Sequence, residues 1–331
     1  MNPAFRLPSP PRRRVLAGAA VALAAPWAFA QAAPWRPSRP VRFIVGFSAG
    51  GSADVLARLL AEPMGKYLGQ SVVVENIVGA GAGIAMATVA RAAPDGHTIG
   101  MGAAGTHAIN PAMQGAKLPY KVQDTTPITQ LVTQPNVLIV NNGLGVETLP
   151  QFVAWVKANP KAAYGSAGIG TSNHLCGEWL SNRLGLQMEH VAYKGAAQVI
   201  TDLLGGHIPM TFDNITTAAN LAKEGKVKAV AVTTARRSPL LPNLPPIADV
   251  IPGYDLASWQ GLFGPGGLPA PVLGELHKAT VQALQAADVR QKLAGFGSEA
   301  VGQPQAEFAA FITTEMKRWG DIVRAANLVE R

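Results

Sequence analysis

Hydrophobic and polar positions along the chain alternate between two periods. A short apolar run at residues 41–47, VRFIVGF, has the composition of a buried strand. In the segment that follows, at 52–69, apolar residues recur at helical spacing. Pro63 lies inside this first predicted helix, where we expect it to kink or locally break the helix. The same succession of strand and helix repeats through most of the sequence.

Further apolar runs predict the remaining strands, and amphipathic segments predict the helices between them. The predicted strands read SVVVEN, HTIGMG, PNVLIVN, AAYGSAG, MEHVAYKG, IPMTFDN and VKAVAVT. A proline-rich stretch at 238–254 predicts an extended connector, and helical patterns follow at 265–297 and 304–328. Strands that alternate with helices in this way indicate an α/β protein with mostly parallel sheets.

The first thirty residues do not continue this pattern. Three arginines at 12–14 precede an apolar run at 15–25 that is too short for a membrane span, and Ala28-Phe29-Ala30 fits a small-residue cleavage site. Residues 1–30 are therefore predicted to be a secretory signal peptide, cleaved near Ala30, and the mature protein is expected in the periplasm.

Composition narrows the classes of function. Removing the four arginines of residues 1–30 from the formal charge of +8 leaves +4, without a basic block interleaved with aromatic residues, so nucleic acid is not an expected partner. Cys176 is the only cysteine, which excludes an intramolecular disulfide. The chain has no H-E-x-x-H or C-x-x-C motif, so neither a metal nor another cofactor is expected.

The segment Gly46-Phe47-Ser48-Ala49-Gly50 matches G-x-S-x-G, the nucleophile elbow of serine hydrolases. In that fold several strands and an oxyanion loop precede the elbow, whereas here it follows the first strand of the mature chain. The spacing of the glycines does not match the G-x-G-x-x-G motif of a Rossmann loop, and Ser52 stands where a Walker A loop requires lysine. A hydrolase using Ser48 stays open as the alternative, as does a phosphate or nucleotide binder.

Glycine-rich turns follow several predicted strands and open the next helix. In open α/β sheets such turns lie at the carboxyl ends of strands, where ligands bind, and free N–H groups at helix starts attract anions. These turns supply neutral hydroxyls, and Lys194 is the one nearby cation. Asp213, in FDN, would accept a hydrogen bond from a ligand or cap a helix. The pattern predicts a cleft that holds a carboxylate.

Together these motifs resemble the tripartite tricarboxylate transporter substrate-binding proteins, the TctC or Bug family of bacterial periplasmic receptors. The resemblance covers essentially the whole mature chain. The landmarks include GFSAGGSADVLAR, VENIVGAGAGIA, AAPDGHTIGMG, YGSAGIGTSNHL, VAYKGAAQVITDLLGGHIPMTFDN and SWQGLFGPGGLPAPV. It implies a two-lobed type II periplasmic-binding-protein fold, the Venus flytrap, in which each lobe is a mostly parallel sheet flanked by helices.

The resemblance also implies a site. The first loop corresponds to residues 47–54 and the second to 166–174, and both would hold carboxylate groups through main-chain amides, hydroxyls and waters. The implied ligand-binding residues are Phe47, Ser48, Ala49, Gly50, Gly51, Ser52, Asp54, Thr106, His107, Ser166, Gly168, Gly170, Thr171, His174 and Asp213. VGAGAGIA and FSAGG depart from the family's usual loops, which leaves the identity of the ligand open.

The chain is therefore expected to be a periplasmic solute receptor and not an enzyme. It would capture a small carboxylate and deliver it to the membrane subunits of a tripartite transporter, or to a sensor protein, and act as a monomer. Lobe 1 is predicted at 36–135 and 250–331, and lobe 2 at 136–249. The chain would cross between the lobes near Gln134-Pro135 and again in the proline-rich connector, and the two crossings would form a hinge.

Overall fold

Strands and helices alternate as predicted over residues 34–329, which the computed structural model describes together with Met1. The predicted signal peptide at 1–30 lies outside the described residues. From Trp35 onward the chain forms one compact unit. Within the described residues, every helix falls short of the combined length and hydropathy that crossing a membrane requires.

The described residues form ten strands and ten α-helices. The strands are β1 (Val41–Val45), β2 (Val72–Asn76), β3 (Thr98–Ala103), β4 (Thr125–Asn141), β5 (Ala163–Ser166), β6 (Glu189–Ala192), β7 (Met210–Asn214), β8 (Val227–Val232), β9 (Ala257–Pro265) and β10 (Glu299–Ala300). The helices are α1 (Ser52–Leu68), α2 (Gly83–Ala90), α3 (Asn110–Gln114), α4 (Leu149–Ala158), α5 (Ser172–Leu184), α6 (Ala196–Leu204), α7 (Ile215–Lys223), α8 (Ala270–Gln285), α9 (Ala287–Gly295) and α10 (Gln305–Ala325). Helix α1 continues through Pro63 without the local break considered above.

The strands form a mixed sheet in the order β2-β1-β3-β9-β4-β7-β5-β6, with β8 and β10 also paired to β4. Parallel pairing holds for β1 with β2 and β3, and for β5 with β6 and β7. The central strands differ from the mostly parallel arrangement predicted, because β9 runs antiparallel to β3 and β4, and β4 runs antiparallel to β7 and β8. The α/β class is confirmed.

Helix packing follows the apolar stripe that the sequence predicts. In α1, Leu56, Leu60 and Met64 are buried and belong to one cluster with Phe43 of β1 and Leu276 of α8. Their spacing of three or four residues places them on one face of the helix, which covers the sheet. This packing fixes the start of α1 at the end of β1.

Strand β4 runs through both halves of the sheet. Its residues 125–135 pair with β9, and from Asn136 onward it pairs with β7 and β8. The predicted crossing at Gln134-Pro135 therefore coincides with a change of partners inside one continuous strand of 17 residues, not with a loop.

A buried threonine joins the segments at this change of partners. Thr233, which is fully buried, donates its hydroxyl to the carbonyl of Leu256 at 2.6 Å and accepts from the N–H of Asn136 at 3.0 Å. The main chain adds a bond from Thr233 N–H to Asn136 O and one from Leu256 N–H to Thr233 O. The outgoing strand and the returning chain are thus held side by side.

The sequence pattern missed β9, although it lies in the middle of the sheet. Its segment contains two glycines and ends on a proline, residue types that are depleted in strands. Packing explains the glycine at 261, since a Cβ there would lie 2.2 Å from the ring of Phe308. The glycine that makes the segment unlike a strand in sequence therefore leaves room for Phe308 of α10 to pack against β9.

We expect Thr233→Val to lower the free energy of unfolding by about 1–3 kcal/mol, because buried main-chain groups lose a polar partner while the side chain keeps its shape. Thr313→Val is the control, since Thr313 is exposed on α10 and donates only to Ala309 O. Urea unfolding of both variants measures the difference. Equal stability of the two variants would contradict a bracing role for Thr233.

Candidate functional site

A cavity of about 550 Å³ lies where the carboxyl ends of β1, β3, β5, β6 and β7 meet. Its wall consists mainly of the loops that follow these strands and of the first turns of the helices behind them. This is the position in which open α/β sheets bind ligands.

The predicted site residues divide between this wall and the layer behind it. Those that line the cavity are Phe47, Ser48, Ala49, Gly50, Gly51, Ser52, Thr106, Thr171 and Asp213. Those outside the lining are Asp54, His107, Ser166, Gly168, Gly170 and His174. The residues of the second group form hydrogen bonds that hold the cavity loops in place.

Asp54 is buried under the first loop and holds it in place. Its carboxylate accepts from Gly50 N–H at 2.9 Å, from the Arg58 guanidinium at 2.9 Å and from the Asn76 amide at 2.9 Å. The Arg58 hydrogen bond is the main reason why the pKa of Asp54 falls to about 2 in spite of its burial. Asn76 also donates to Phe47 O at 2.9 Å. The loop is therefore tied at both ends from below.

His107 belongs to the core. It is fully buried and stacks on Phe263 with ring centroids 3.6 Å apart, and burial lowers its pKa to about 3. Its Nδ1 lies 2.8 Å from Thr106 Oγ1, and Thr106 accepts from Ala103 N–H at 2.9 Å. A neutral His107 thus supports the turn that carries Thr106 to the cavity.

The second loop is shaped by bonds within itself. Ser166 Oγ accepts from Gly168 N–H at 3.1 Å, and Thr171 Oγ1 donates to Gly168 O at 2.7 Å. Thr171 also caps α5 by accepting from His174 N–H at 3.3 Å. Gly168 and Gly170 have φ of +134° and +74°, in the region that favours glycine, and a Cβ at Gly170 would overlap the side chain of Asn110. This geometry brings Thr171 and the start of α5 to the cavity wall.

His174, Glu178 and His190 group behind the second loop, with ligand atoms within 4.8 Å of one another, close enough to consider a metal ion. Gly170 N–H donates to His174 Nδ1 at 3.3 Å, so in the neutral ring Nε2 carries the proton and faces Glu178 at 3.6 Å. In this tautomer Nε2 has no free lone pair to offer a metal. The cluster instead supports the loop.

The ionisable groups of this cluster are shifted by burial and by one another. Burial, with a contribution from His174, lowers the pKa of His190 to about 4. Burial acts to raise the pKa of Glu178, but hydrogen bonds from His174 and from Tyr164 at 2.6 Å lower it. The ionised Glu178 therefore holds the hydrogen-bond donors around it.

Four helices begin at the cavity. The first turns of α1, α5, α6 and α7 all contribute to its wall. The N-cap residues of α1, α6 and α7 are Gly51, Gly195 and Asn214, and none of the three makes a side-chain cap hydrogen bond. The first N–H groups of a helix have no partner within the helix, so these amides are available to an anion.

Asp213 is the acidic side chain among the lining residues. It is 4% exposed, and its Oδ1 accepts from Asn214 N–H at 2.9 Å. Its Oδ2 makes no hydrogen bond to the described residues. Burial, opposed by the Asn214 bond, raises the pKa of Asp213 to about 7.

Several lining residues are not among the individually named ligand-binding residues. They are Ala53, Gly81, Ala103, Ala104, Gly105, Ala167, Ser172, Asn173, Lys194, Gly195, Ala196, Ala197, Gln198, Ile200, Asn214, Thr217, Ser258 and Gln260. Of these, Ala53, Ala167, Ser172 and Asn173 lie within the two predicted loops, and Lys194 was the predicted nearby cation. The turn at 193–195, between β6 and the start of α6, was among the strand-ending turns expected at the cleft, and its residues Lys194 and Gly195 do line the cavity. Ser258 and Gln260 were missed together with β9, which carries them.

Contacts across the cavity join the two halves of the sheet. Asn214 Nδ2 donates to Ser52 Oγ at 2.9 Å, which links the start of α7 to that of α1. Within residues 34–329 no histidine is hydrogen-bonded to Ser48, the candidate nucleophile of the hydrolase alternative. Among the described residues, Ser48 is therefore a hydroxyl on the wall that lacks the nucleophile–histidine hydrogen bond of a serine hydrolase.

Residues 56–328 match the family described as tripartite tricarboxylate transporter family receptor. Three solved structures are similar to the chain. The periplasmic binding protein BugD is 33% identical, with a TM-score of 0.84, covering 89% of this chain and 100% of its own. Rpa4515 of R. palustris with adipate is 32% identical, with a TM-score of 0.84, covering 88% and 98%.

The third structure is MatC of Rhodopseudomonas palustris with bound malate, 32% identical, with a TM-score of 0.82, covering 87% of this chain and 99% of that one. Membership of a receptor family overturns the alternative of a serine hydrolase at Ser48, and no histidine of the described residues is hydrogen-bonded to that serine. The chain belongs to the tripartite tricarboxylate transporter receptor family and is a solute-binding receptor, not an enzyme.

Proposed function

We propose that the protein captures a small carboxylate in the cavity between two lobes and delivers it to the membrane subunits of a tripartite transporter, or to a sensor protein. The observation that carries this proposal is the convergence of four helix starts on one cavity. Each start adds partial positive charge, and each neutral hydrogen bond contributes about 1 kcal/mol net. Such a site favours an anion without holding it irreversibly.

Size and relatives point to the same class of ligand. A cavity of about 550 Å³ is within the usual range for small-molecule sites and has room for a dicarboxylate. The similar structures with adipate and malate are of proteins that bind dicarboxylates, and both are about as close to this chain as BugD is. A dicarboxylate is therefore the first ligand to test.

We propose further that the lobes are residues 36–135 with 250–331, and residues 136–249. The change of partners along β4 at Asn136 and the polar joint at Thr233 support this division. Rotation of one lobe towards the other would close the cavity and bury the ligand. The backbone would bend where the two crossings between the lobes lie side by side.

The expected cellular setting follows from the family and from the N-terminal sequence. We propose that residues 1–30 direct export and are removed near Ala30, so that the mature receptor acts in the periplasm as a monomer. Membership of a transporter receptor family supports a membrane partner.

A panel of adipate, malate, succinate and inorganic phosphate tests the function. We expect a dicarboxylate at about 100 times its Kd to raise the free energy of unfolding by about 2.7 kcal/mol, because it binds only the folded state. Phosphate should have a smaller effect. Thermal denaturation with each compound provides the measurement, and a response to phosphate alone would contradict the carboxylate proposal.

Loop support can be tested apart from ligand contact. We expect Asp54→Asn to weaken dicarboxylate binding roughly tenfold, because the loop loses the ion pair with Arg58 that holds it. Glu62→Gln is the matched control, since Glu62 forms an exposed i,i+4 pair with Lys66 on the same helix. Calorimetric titration of the ligand into both variants separates the loss of loop support from the loss of an ion pair on the same helix. Equal affinities would show that Asp54 does not position the loop.

Closure can be tested with a single methyl group. A Cβ at Gly105, on lobe 1, would lie 2.8 Å from the carbonyl oxygen of Gly170, on lobe 2. We expect Gly105→Ala to weaken binding by about tenfold or more, because the lobes can no longer approach fully. Gly274→Ala on α8 is the control, since a Cβ there meets no atom within 4 Å. Unchanged affinity in Gly105→Ala would contradict closure at this contact.

A further inference from the structure

The carboxyl of Asp213 is buried at the end of β7 with one oxygen unsatisfied. Its Oδ1 accepts from Asn214 N–H at 2.9 Å, while Oδ2 has no hydrogen bond to the described residues, although Asp213 is only 4% exposed. Buried polar atoms are nearly always paired, and leaving one unpaired is costly. Because Asp213 lines the cavity, the missing partner is expected to belong to the ligand.

No charge on the surrounding wall balances this carboxyl. Strand β4 places Val137 opposite Asp213, and α5 contributes the neutral Ser172 and Asn173 to the wall. Helices α6 and α7 also pack on β7, and none of their lining residues is ionisable: Ala196, Ala197, Gln198, Ile200 and Thr217. The ionisable side chains among the lining residues of the described chain are Asp213 itself and Lys194, which is exposed to solvent. His174 and Glu178 of α5 lie behind the second loop, outside the lining.

An anionic ligand in this cavity would place a second negative charge close to the Asp213 carboxyl. The four helix starts draw a carboxylate into the same cavity. Two adjacent carboxylates cannot both remain ionised in a buried site, and one of them then takes up a proton. Burial already raises the pKa of Asp213 to about 7. A protonated carboxyl can donate its O–H to a ligand carboxylate, in a short charge-assisted hydrogen bond.

We propose that Asp213 binds the ligand as a neutral carboxylic acid, so that one proton enters the cleft together with each carboxylate ligand. This inference rests on the proposed function and specifies its chemistry. A proton binds Asp213 Oδ2, no covalent bond to the ligand forms, and release of the ligand returns the proton. A ligand hydroxyl or ammonium that donates to an ionised Asp213 is the competing arrangement.

Calorimetric titration from about pH 6.5 to pH 9, where the ligand's own carboxyls are ionised, tests the proposal. The probes are succinate and malate, which differ by one hydroxyl, each in two buffers of different ionisation enthalpy. For the wild type we expect the affinity to fall above about pH 7, so that Kd rises by up to about tenfold per pH unit. Up to one proton should be taken up on binding.

Asp213→Asn should keep its affinity across this range and take up no proton, because the amide also donates to a carboxylate. Asp288→Asn, an exposed position on α9, should retain the wild-type profile. Wild-type binding without pH dependence or proton uptake would overturn the inference and leave the proposed function standing. So would binding of malate, but not succinate, that is lost in Asp213→Asn. If none of succinate, malate and adipate binds, the proposed function itself fails.

A measurement without ligand tests the same carboxyl. Because the folded-state pKa lies above that of the unfolded chain, the wild type should lose stability as the pH rises from about 4 to about 7. Asp213→Asn has no ionisable group at this position and should not lose stability in this way. The Tm of the variant minus that of the wild type should therefore increase between about pH 4 and about pH 7. A difference that does not change with pH would show that the ionised carboxyl is already satisfied, and the inference would fail.

Discussion

The site depends on one continuous strand that belongs to both halves of the sheet. Because β4 pairs with β9 up to Pro135 and with β7 and β8 from Asn136, the halves are joined by main-chain hydrogen bonds and not only by a flexible loop. Thr233 adds a buried polar joint at the change of partners. The carboxyl ends of the strands on either side consequently face one cavity, and both loops stand on strands that are linked through β4.

Around that cavity, charged side chains stand behind the wall and neutral groups form most of it. Asp54 holds the first loop from below, and the cluster of His174, Glu178 and His190 supports the second. Since these carboxylates are paired behind the loops, the helix starts are free to act on a ligand. The exceptions are the exposed Lys194 and Asp213, an acid on the wall whose Oδ2 has no partner among the described residues.

Both glycine-rich loops and their place after a strand could be predicted from local patterns, because turns and helix starts are encoded within a few residues. The role of individual side chains could not. His107 and His174 were expected at the ligand, yet His107 stacks in the core and His174 faces Glu178. A histidine next to a loop residue in sequence can point to either side of the loop, and packing decides which.

Periodicity, turn residues and the order of short motifs were enough to predict the α/β class, most elements, the two loops and the family, because each of these is a property of nearby residues. Only the tertiary structure revealed β9, whose glycines resemble a loop until Phe308 is seen against Gly261. It also decided which residues face the cavity and which support it, and that Asp213 lacks a partner for Oδ2 among the described residues. Burial and long-range pairing join residues far apart in the chain, and no local pattern records them.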